Sequence, residues 1–194
     1  MNKQVINEIQ GTTVLVVDDD VDFTEMMRNQ LEHIGMKVVG VAHNGPDALD
    51  MIKERDPGLV MLDIRMEGMD GIEVARIINR TEPRPVMFLS AHPEYAPGAR
   101  DTGVFTYLVK TSSIEKMVPS IVMTLNHFRE MSALKAMMES MRESVENESA
   151  INSAAGRLMD TKGITRERAM EEIRKRCRES NRPLADVAKE LAEG

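Results

Sequence analysis

The sequence predicts an α/β fold: a doubly wound five-stranded parallel sheet, followed by a long coiled-coil helix and a small three-helix all-α domain. Two observations carry the first part. Five short apolar runs, Val14–Val17, Val38–Val41, Leu59–Leu62, Val86–Leu89 and Tyr107–Val109, are separated by stretches of helical apolar spacing. Such strand–helix alternation marks a parallel sheet covered on both faces. A third observation carries the rest: no Gly or Pro interrupts residues 120–155, after which Gly163 and Pro183 divide the tail.

Residues 1–11 form a short polar arm with no clear element. After the first strand, Phe23, Met27, Leu31 and Ile34 recur at helical spacing and Gly35 ends the helix. Pro46 opens a second helix from its first turn, with Ala48, Leu49 and Ile52 inward. The turn Asp56-Pro57-Gly58 leads into Leu59-Val60-Met61-Leu62, apolar throughout and therefore read as a buried parallel strand. Gly71 starts a third helix built on Ile72, Val74, Ala75 and Ile78.

The chemistry lies at the strand ends. The first strand runs into Asp18-Asp19-Asp20, the third into Asp63, the fourth into Ser90 and the fifth into Lys110. Open α/β sheets hold ligands at the carboxyl ends of their strands. Neighbouring strands that end in acids crowd their carboxylates, which repel and shift one another's pKa values. A hard divalent cation such as Mg²⁺ relieves that repulsion because it takes oxygen ligands. With a hydroxyl and an ammonium added, the set suits a phosphoryl group. Asp63 is then the nucleophile, Mg²⁺ and Lys110 neutralise the phosphoryl oxygens, and Ser90 donates to one of them. A lone strand-end Asp is more often an N-cap or loop acid, and a lone Lys a solvated surface residue; the combination is what points to a site.

In this order the residues resemble a response-regulator receiver domain over residues 12–128, a flavodoxin-like fold. The resemblance implies that Asp18 and Asp19 bind Mg²⁺ together with Asp63, the phosphoacceptor. It makes Ser90 the switch hydroxyl, Lys110 the invariant lysine and Tyr107 the aromatic that changes rotamer on phosphorylation. A further metal ligand is implied two residues after the acceptor, the backbone carbonyl of Arg65, whose side chain would lie over the site mouth. The implied phosphodonor is a sensor histidine kinase. Three places depart from the family pattern. Glu67 replaces a proline in the acceptor loop, which loosens it. Thr111 replaces the proline after the lysine, so a cis bond there, costing about 3 kcal/mol without proline, is not expected. Two prolines and a glycine in His92–Gly98 oppose the regular helix the family has there, so that helix is expected to be shortened or remodelled.

Composition bounds the rest. The 194 residues leave room for two domains, and the single cysteine, Cys177, excludes a disulfide framework within the chain. With no signal peptide and no apolar stretch long enough for a bilayer, a soluble cytoplasmic protein is expected. Trp is absent while Met reaches 17 residues, an adaptable filler common at surfaces that repack. Residues 151–194 hold ten Lys/Arg against eight Asp/Glu, so the net charge of −7 leaves −9 on residues 1–150. That balance argues against nonspecific nucleic-acid binding by the whole chain.

Ser112-Ser113-Ile114-Glu115 reads as a capping box opening a long helix. Ile114, Val118, Ile121, Leu125 and Phe128 form one apolar stripe, expected to pack on the receiver. Met131, Leu134, Met138, Met141 and Val145 form another in a shifted frame, read as a coiled-coil seam for homodimerisation over residues 129–148. The competing reading is one long amphipathic helix folded back on its own chain.

In the tail, 149–194, Gly163 stops a helix, Thr165 caps the next with Ile164 as staple, and Pro183 begins a third. Ala154, Leu158, Ala169, Ile173, Leu184, Val187 and Leu191 are its expected core, too small to be more than marginal alone. Read in order, Ile151–Met159, Gly163-Ile164-Thr165, Ala169, Asn181–Leu184 and Asp186-Val187-Ala188 are similar to the ANTAR domain, the RNA-binding output module of transcription antiterminators. Arg157, Lys162, Arg166, Arg168, Arg174, Lys175, Arg176, Arg178 and Arg182 cluster within 26 residues. As a group they could follow the phosphates of RNA hairpins, with Arg157, Lys162, Arg166, Arg174, Arg178 and Arg182 as the candidate contacts. Any one of these, taken alone, is more readily a solvated residue in an i,i+4 pair. The family usually has a lysine where Ala155 stands. No aromatic follows Phe128, so base stacking would fall to Arg planes. The expected whole is a phosphorylation-controlled antiterminator and not an enzyme. The alternatives are a protein-interaction tail, a DNA-binding output, for which no helix-turn-helix spacing is found, or a receiver serving as a phosphate sink.

Overall fold

The computed structural model describes residues 7–91, 102, 104, 106–110 and 113–193. The Pro-rich stretch 92–98, Thr111 and Ser112 lie outside them. The chain divides into two compact units, Met1–Glu130 and Met131–Gly194.

The first unit comprises β1 (Thr13–Val17), α1 (Val21–His33), β2 (Lys37–Ala42), α2 (Gly45–Arg55), β3 (Leu59–Asp63), α3 (Gly71–Thr81), β4 (Val86–Ser90), β5 (Thr106–Val109) and the first part of α4 (Ile114–Lys162). All five strands pair in parallel in the order β2-β1-β3-β4-β5. The chain steps outward from β1 to β2 and then crosses to β3. The order therefore reverses between β1 and β3, which opens a crevice at their carboxyl ends.

The side chains of β1, β3 and β4 alternate between two apolar layers, and both are buried, as continuous apolar runs require. Val14, Val16, Leu59, Met61, Met87 and Leu89 pack with Met27 and Leu31 of α1 and Met117, Val118 and Ile121 of α4. Leu15, Val17, Val60, Leu62 and Phe88 pack with Ala48 and Ile52 of α2 and Val74, Ala75 and Ile78 of α3. Each such fully buried aliphatic side chain contributes roughly 1.5–3 kcal/mol over its exposed state.

Three helices begin on short polar caps: Asp20, Asn44 and Asp70 accept hydrogen bonds from the backbone N–H groups of Phe23, Asp47 and Glu73. Gly35 sits at a φ of 87° just past α1, where a side chain would strain the backbone. At the start of α4 the Glu115 carboxyl is held below its ordinary range by its own backbone N–H and by the Ser113 hydroxyl. The expected capping partner Ser112 lies outside the described residues.

The two stripes of α4 differ. Ile114, Val118, Ile121 and Leu125 of the first are buried. Met131, Leu134, Met138, Met141 and Val145 of the second are 46–67% exposed in the single chain.

In the second unit, the end of α4 joins α5 (Arg166–Ser180) and α6 (Leu184–Glu193). Gly163 (φ 63°) makes the turn after α4, Thr165 caps α5, and Asn181 (φ 52°) ends it. Ala154, Leu158, Ala169, Ile173 and Val187 are buried together, with Leu184 and Leu191 against them. Ala155 and Ala188 belong to the same core. A longer side chain at 155 would therefore have to displace packing rather than extend freely. Among the described residues, no helix is long and apolar enough to cross a membrane.

Candidate functional site: a strand-end acid cluster and a basic three-helix unit

The Asp18-Asp19-Asp20 run is divided by the geometry of the β1–α1 turn. Asp20 caps α1, Asp19 is exposed, and Asp18 is buried, with one carboxylate oxygen accepting from the Asp20 N–H at 3.1 Å. Asp63, at the end of neighbouring β3, is also buried. Carboxylate oxygens of Asp18, Asp19 and Asp63 all lie within 4.8 Å of one another. Lys110, just beyond β5, reaches across with its Nζ 2.7 Å from Asp18 Oδ2 and 3.3 Å from Asp63 Oδ2. Its backbone N–H donates to the Ser90 carbonyl at 3.0 Å, which keeps the ends of β4 and β5 adjacent. Ser90 is buried, and Tyr107 is half-buried against the layer that contains Leu62 and Phe88. Arg65 is exposed and lines a cavity of about 500 Å³ with Asp19, Met66, Glu67 and Asp70.

The electrostatics follow from this crowding. Burial, then the charge of Asp18, pushes the Asp63 carboxyl up to about 6, against the pull of Lys110. Burial raises Asp18 as well, opposed chiefly by the Lys110 hydrogen bond. Burial alone would lower Lys110, but Asp18 and Asp63 outweigh it and hold the ammonium above its ordinary range. Asp63 Oδ1 is buried with no hydrogen-bond partner among the described residues. One ammonium thus faces two buried carboxylates, an exposed third lies within 4.8 Å of them, and an acceptor oxygen is left over. That donor set fits a hard divalent cation with oxygen ligands, such as Mg²⁺.

The acceptor loop closes on a glycine. Gly71 N–H donates to the Ile64 carbonyl at 2.9 Å, and a Cβ at Gly71 would stand 1.9 Å from the Asp63 carbonyl oxygen. Only a residue without a side chain allows this approach. Gly45, at the start of α2, is similarly pressed, its missing Cβ 2.8 Å from Met69 of the same loop.

Two neighbours of the site were not singled out by sequence. The Phe23 ring lies under Lys110, Nζ to centroid 4.8 Å, close enough for cation–π attraction. His43 places Nδ1 3.0 Å from the Asp18 carbonyl oxygen. Phe23 fitted the apolar spacing of α1, so nothing in the pattern separated it from a core residue.

The basic residues of the tail are not equivalent. Arg157 donates to the Ala192 carbonyl at 2.6 Å, and Arg166 to Asn152 Oδ1 at 2.7 Å. Arg182 pairs with Glu190 at 2.6 Å. Lys162 pairs with Glu172, which Arg176 also approaches at 3.7 Å. Lys162 first, by its hydrogen bond, holds the Glu172 carboxyl below its ordinary range. Of the six sequence candidates, only Arg174 and Arg178 are exposed without such a partner among the described residues.

Comparison with known proteins agrees with both regions. The family model of the response regulator receiver domain matches residues 14–122, and that of the ANTAR domain matches residues 139–191. The transcriptional regulatory protein PdtaR of Mycobacterium tuberculosis is 30% identical over 186 residues, spanning 93% of this chain and 89% of that one. Among solved structures, the signal receiver domain of the response regulator NarL from Mycobacterium tuberculosis is similar with a TM-score of 0.56. It is 33% identical and covers 60% of this chain and 98% of its own. The response regulator TrrA from Thermotoga maritima, solved in complex with Mg²⁺ and BeF, matches with a TM-score of 0.55 at 27% identity. That match covers 58% of this chain and 98% of the other.

Proposed function

Because the chain belongs to the response regulators that join a receiver domain to an ANTAR domain, we propose that phosphorylation of Asp63 controls RNA-hairpin binding by its tail and thereby promotes transcription antitermination. Residues 12–128 are the receiver in this reading, 129–148 the coiled-coil linker and 149–194 the RNA-binding domain. The observation that carries it is the strand-end cluster, where Lys110 lies 2.7 and 3.3 Å from two buried carboxylates.

A carboxylate oxygen of Asp63 attacks the phosphorus of a phosphohistidine on a sensor histidine kinase. The new O–P bond forms as the N–P bond breaks, and the imidazole leaves with the electron pair. Asp18, Asp19 and Asp63, with the Arg65 carbonyl, would hold Mg²⁺, which supplies positive charge to the phosphoryl oxygens when bound. Lys110 exchanges one carboxylate partner for a phosphoryl oxygen, and the Ser90 hydroxyl donates to another. Tyr107 follows Ser90 and changes the packing beside β4 and β5. The response passes to α4, whose exposed Met-rich stripe pairs with that of a second copy. Two tails then engage paired hairpins and keep a terminator from forming.

The test is a salt-dependent titration of the full chain with a tandem-hairpin RNA and a duplex DNA control, with and without a small-molecule phosphodonor and Mg²⁺. RNA-selective binding that tightens with the phosphodonor, and no longer does so in Asp63→Asn, is expected. RNA binding indifferent to Asp63 would remove the switch. No RNA binding at low salt in either state would replace the RNA output with a protein-binding tail or a phosphate sink.

A further inference from the structure

We propose that the RNA-facing surface of the tail is the outward face of α5, carried by Arg168, Arg174 and Arg178, and that the other basic residues of the candidate set hold the tail together instead. The inference rests on the RNA-binding reading above and divides its cations by what they already touch.

The inward direction of α5 is set by Ala169 and Ile173, both fully buried. At 100° per residue, Arg178 falls on the far side of the helix, about 160° from that direction, and Arg168 and Arg174 lie about 120° from it on opposite sides, with Arg174 one turn before Arg178. All three are exposed, and among the described residues none has an ion pair or side-chain hydrogen bond. Arg168 and Arg178 also border a shallow groove of about 380 Å³ on this helix, where four cations, Lys175 and Arg176 included, stand beside three carboxylates, those of Glu171, Glu172 and Glu179. Lys175 is only loosely engaged, 3.8 Å from Glu179.

The remaining candidates are tied down. Arg157 satisfies a carbonyl in the last turn of α6, a group left without a helical partner. Lys162 joins the end of α4 to Glu172 of α5 across the Gly163 turn. Arg166 holds the start of α5 to Asn152 of α4, and Arg182 holds the α5–α6 connection to Glu190. A phosphate could recruit these side chains only by breaking bonds that position the three helices on their small core. The uncommitted arginines meet a phosphate at no such cost, and each released counterion adds to the salt dependence.

The test compares the full chain with Arg168→Gln/Arg174→Gln/Arg178→Gln and with Arg157→Gln/Arg182→Gln. Each is titrated against a synthetic RNA of two stem-loops over a range of salt, and each is melted thermally. The triple variant should lower the slope of log affinity against log salt by about two to three, from roughly 0.7–0.9 per phosphate contact, with its melting temperature unchanged. The double variant should melt earlier but keep the parent slope, read at a temperature where it is folded. A parent slope in the triple variant, or a slope lost only in the double variant, overturns the division. Failure of the parent itself to bind the RNA overturns the RNA reading, a result distinct from either.

Discussion

In the N-terminal unit, a few charges are buried at the ends of strands; in the C-terminal unit, many charges lie exposed on helices. The buried set is placed by backbone: β1 and β3 are neighbours, so Asp18 and Asp63 must meet, and Lys110 is carried to them by β5. The exposed set is sorted by partnership: on α5 itself, Arg166 is bonded to Asn152 while Arg174 and Arg178 have no such partner among the described residues. In the first region chemistry follows from topology. In the second, two arginines of the same helix can have unrelated roles.

That contrast can be broken at its two glycines and at two further side chains. The largest effect is expected at Gly71→Ala, where the added methyl would lie 1.9 Å from the Asp63 carbonyl oxygen. The backbone must move, and urea unfolding should show a loss of about 3 kcal/mol, together with loss of phosphodonor response. A near-neutral result would show that the acceptor loop is not fixed by close contact.

Asp63→Asn comes next and acts in the opposite direction on stability. The Asp63 carboxyl is raised from 3.8 to about 6 in the fold. Its contribution to metal-free stability is therefore fully present below the unfolded value and is lost as pH rises through about 6. The asparagine variant should match the parent near pH 4, gain on it between pH 4 and 6, and level off above at up to about 3 kcal/mol. A gain independent of pH would mean that the carboxylate is not what strains the site. Mg²⁺ added to the parent should narrow the difference.

Thr124→Val probes the packing of α4 on the sheet. Thr124 Oγ1 lies 2.6 Å from Thr106 Oγ1 and 2.8 Å from the Ser120 carbonyl oxygen, beneath a mostly buried surface. Removing it leaves the Thr106 hydroxyl without this partner and should cost about 1–2 kcal/mol. The smallest effect belongs to the second glycine. Gly156 lies within α4, and a Cβ there would meet nothing within 4 Å. Gly156→Ala should stabilise the tail by about 0.5–1 kcal/mol, seen as a higher melting temperature with RNA binding intact. Together the two alanines would show that close approach governs one region and helix propensity the other.

The sheet and its site were legible because both are written as short apolar runs followed by a polar residue. Asp18, Asp63, Ser90 and Lys110 each end such a run, and a parallel sheet leaves them one place to go. Caps such as Thr165 and stops such as Gly163 were legible for the same local reason. Phe23 was not, because a ring beneath a lysine looks in sequence like any residue of an apolar stripe. The division of the tail cations was hidden as well. Arg157 and Ala192 are 35 residues apart, and Lys162 and Glu172 are 10 apart across a turn. No helical periodicity announces such pairs.

The bond from Lys110 N–H to the Ser90 carbonyl has a mechanical consequence. It couples the two backbones, so the hydroxyl and the ammonium share one support. Asp18 is likewise braced against the end of β2 through His43, and Asp63 ends β3 where the following loop is shut by Gly71. Five chemical groups therefore ride on three bodies: the end of β1, the end of β3, and the joined ends of β4 and β5. A pull on either Ser90 or Lys110 acts on a strand pair already joined at that point by a backbone hydrogen bond.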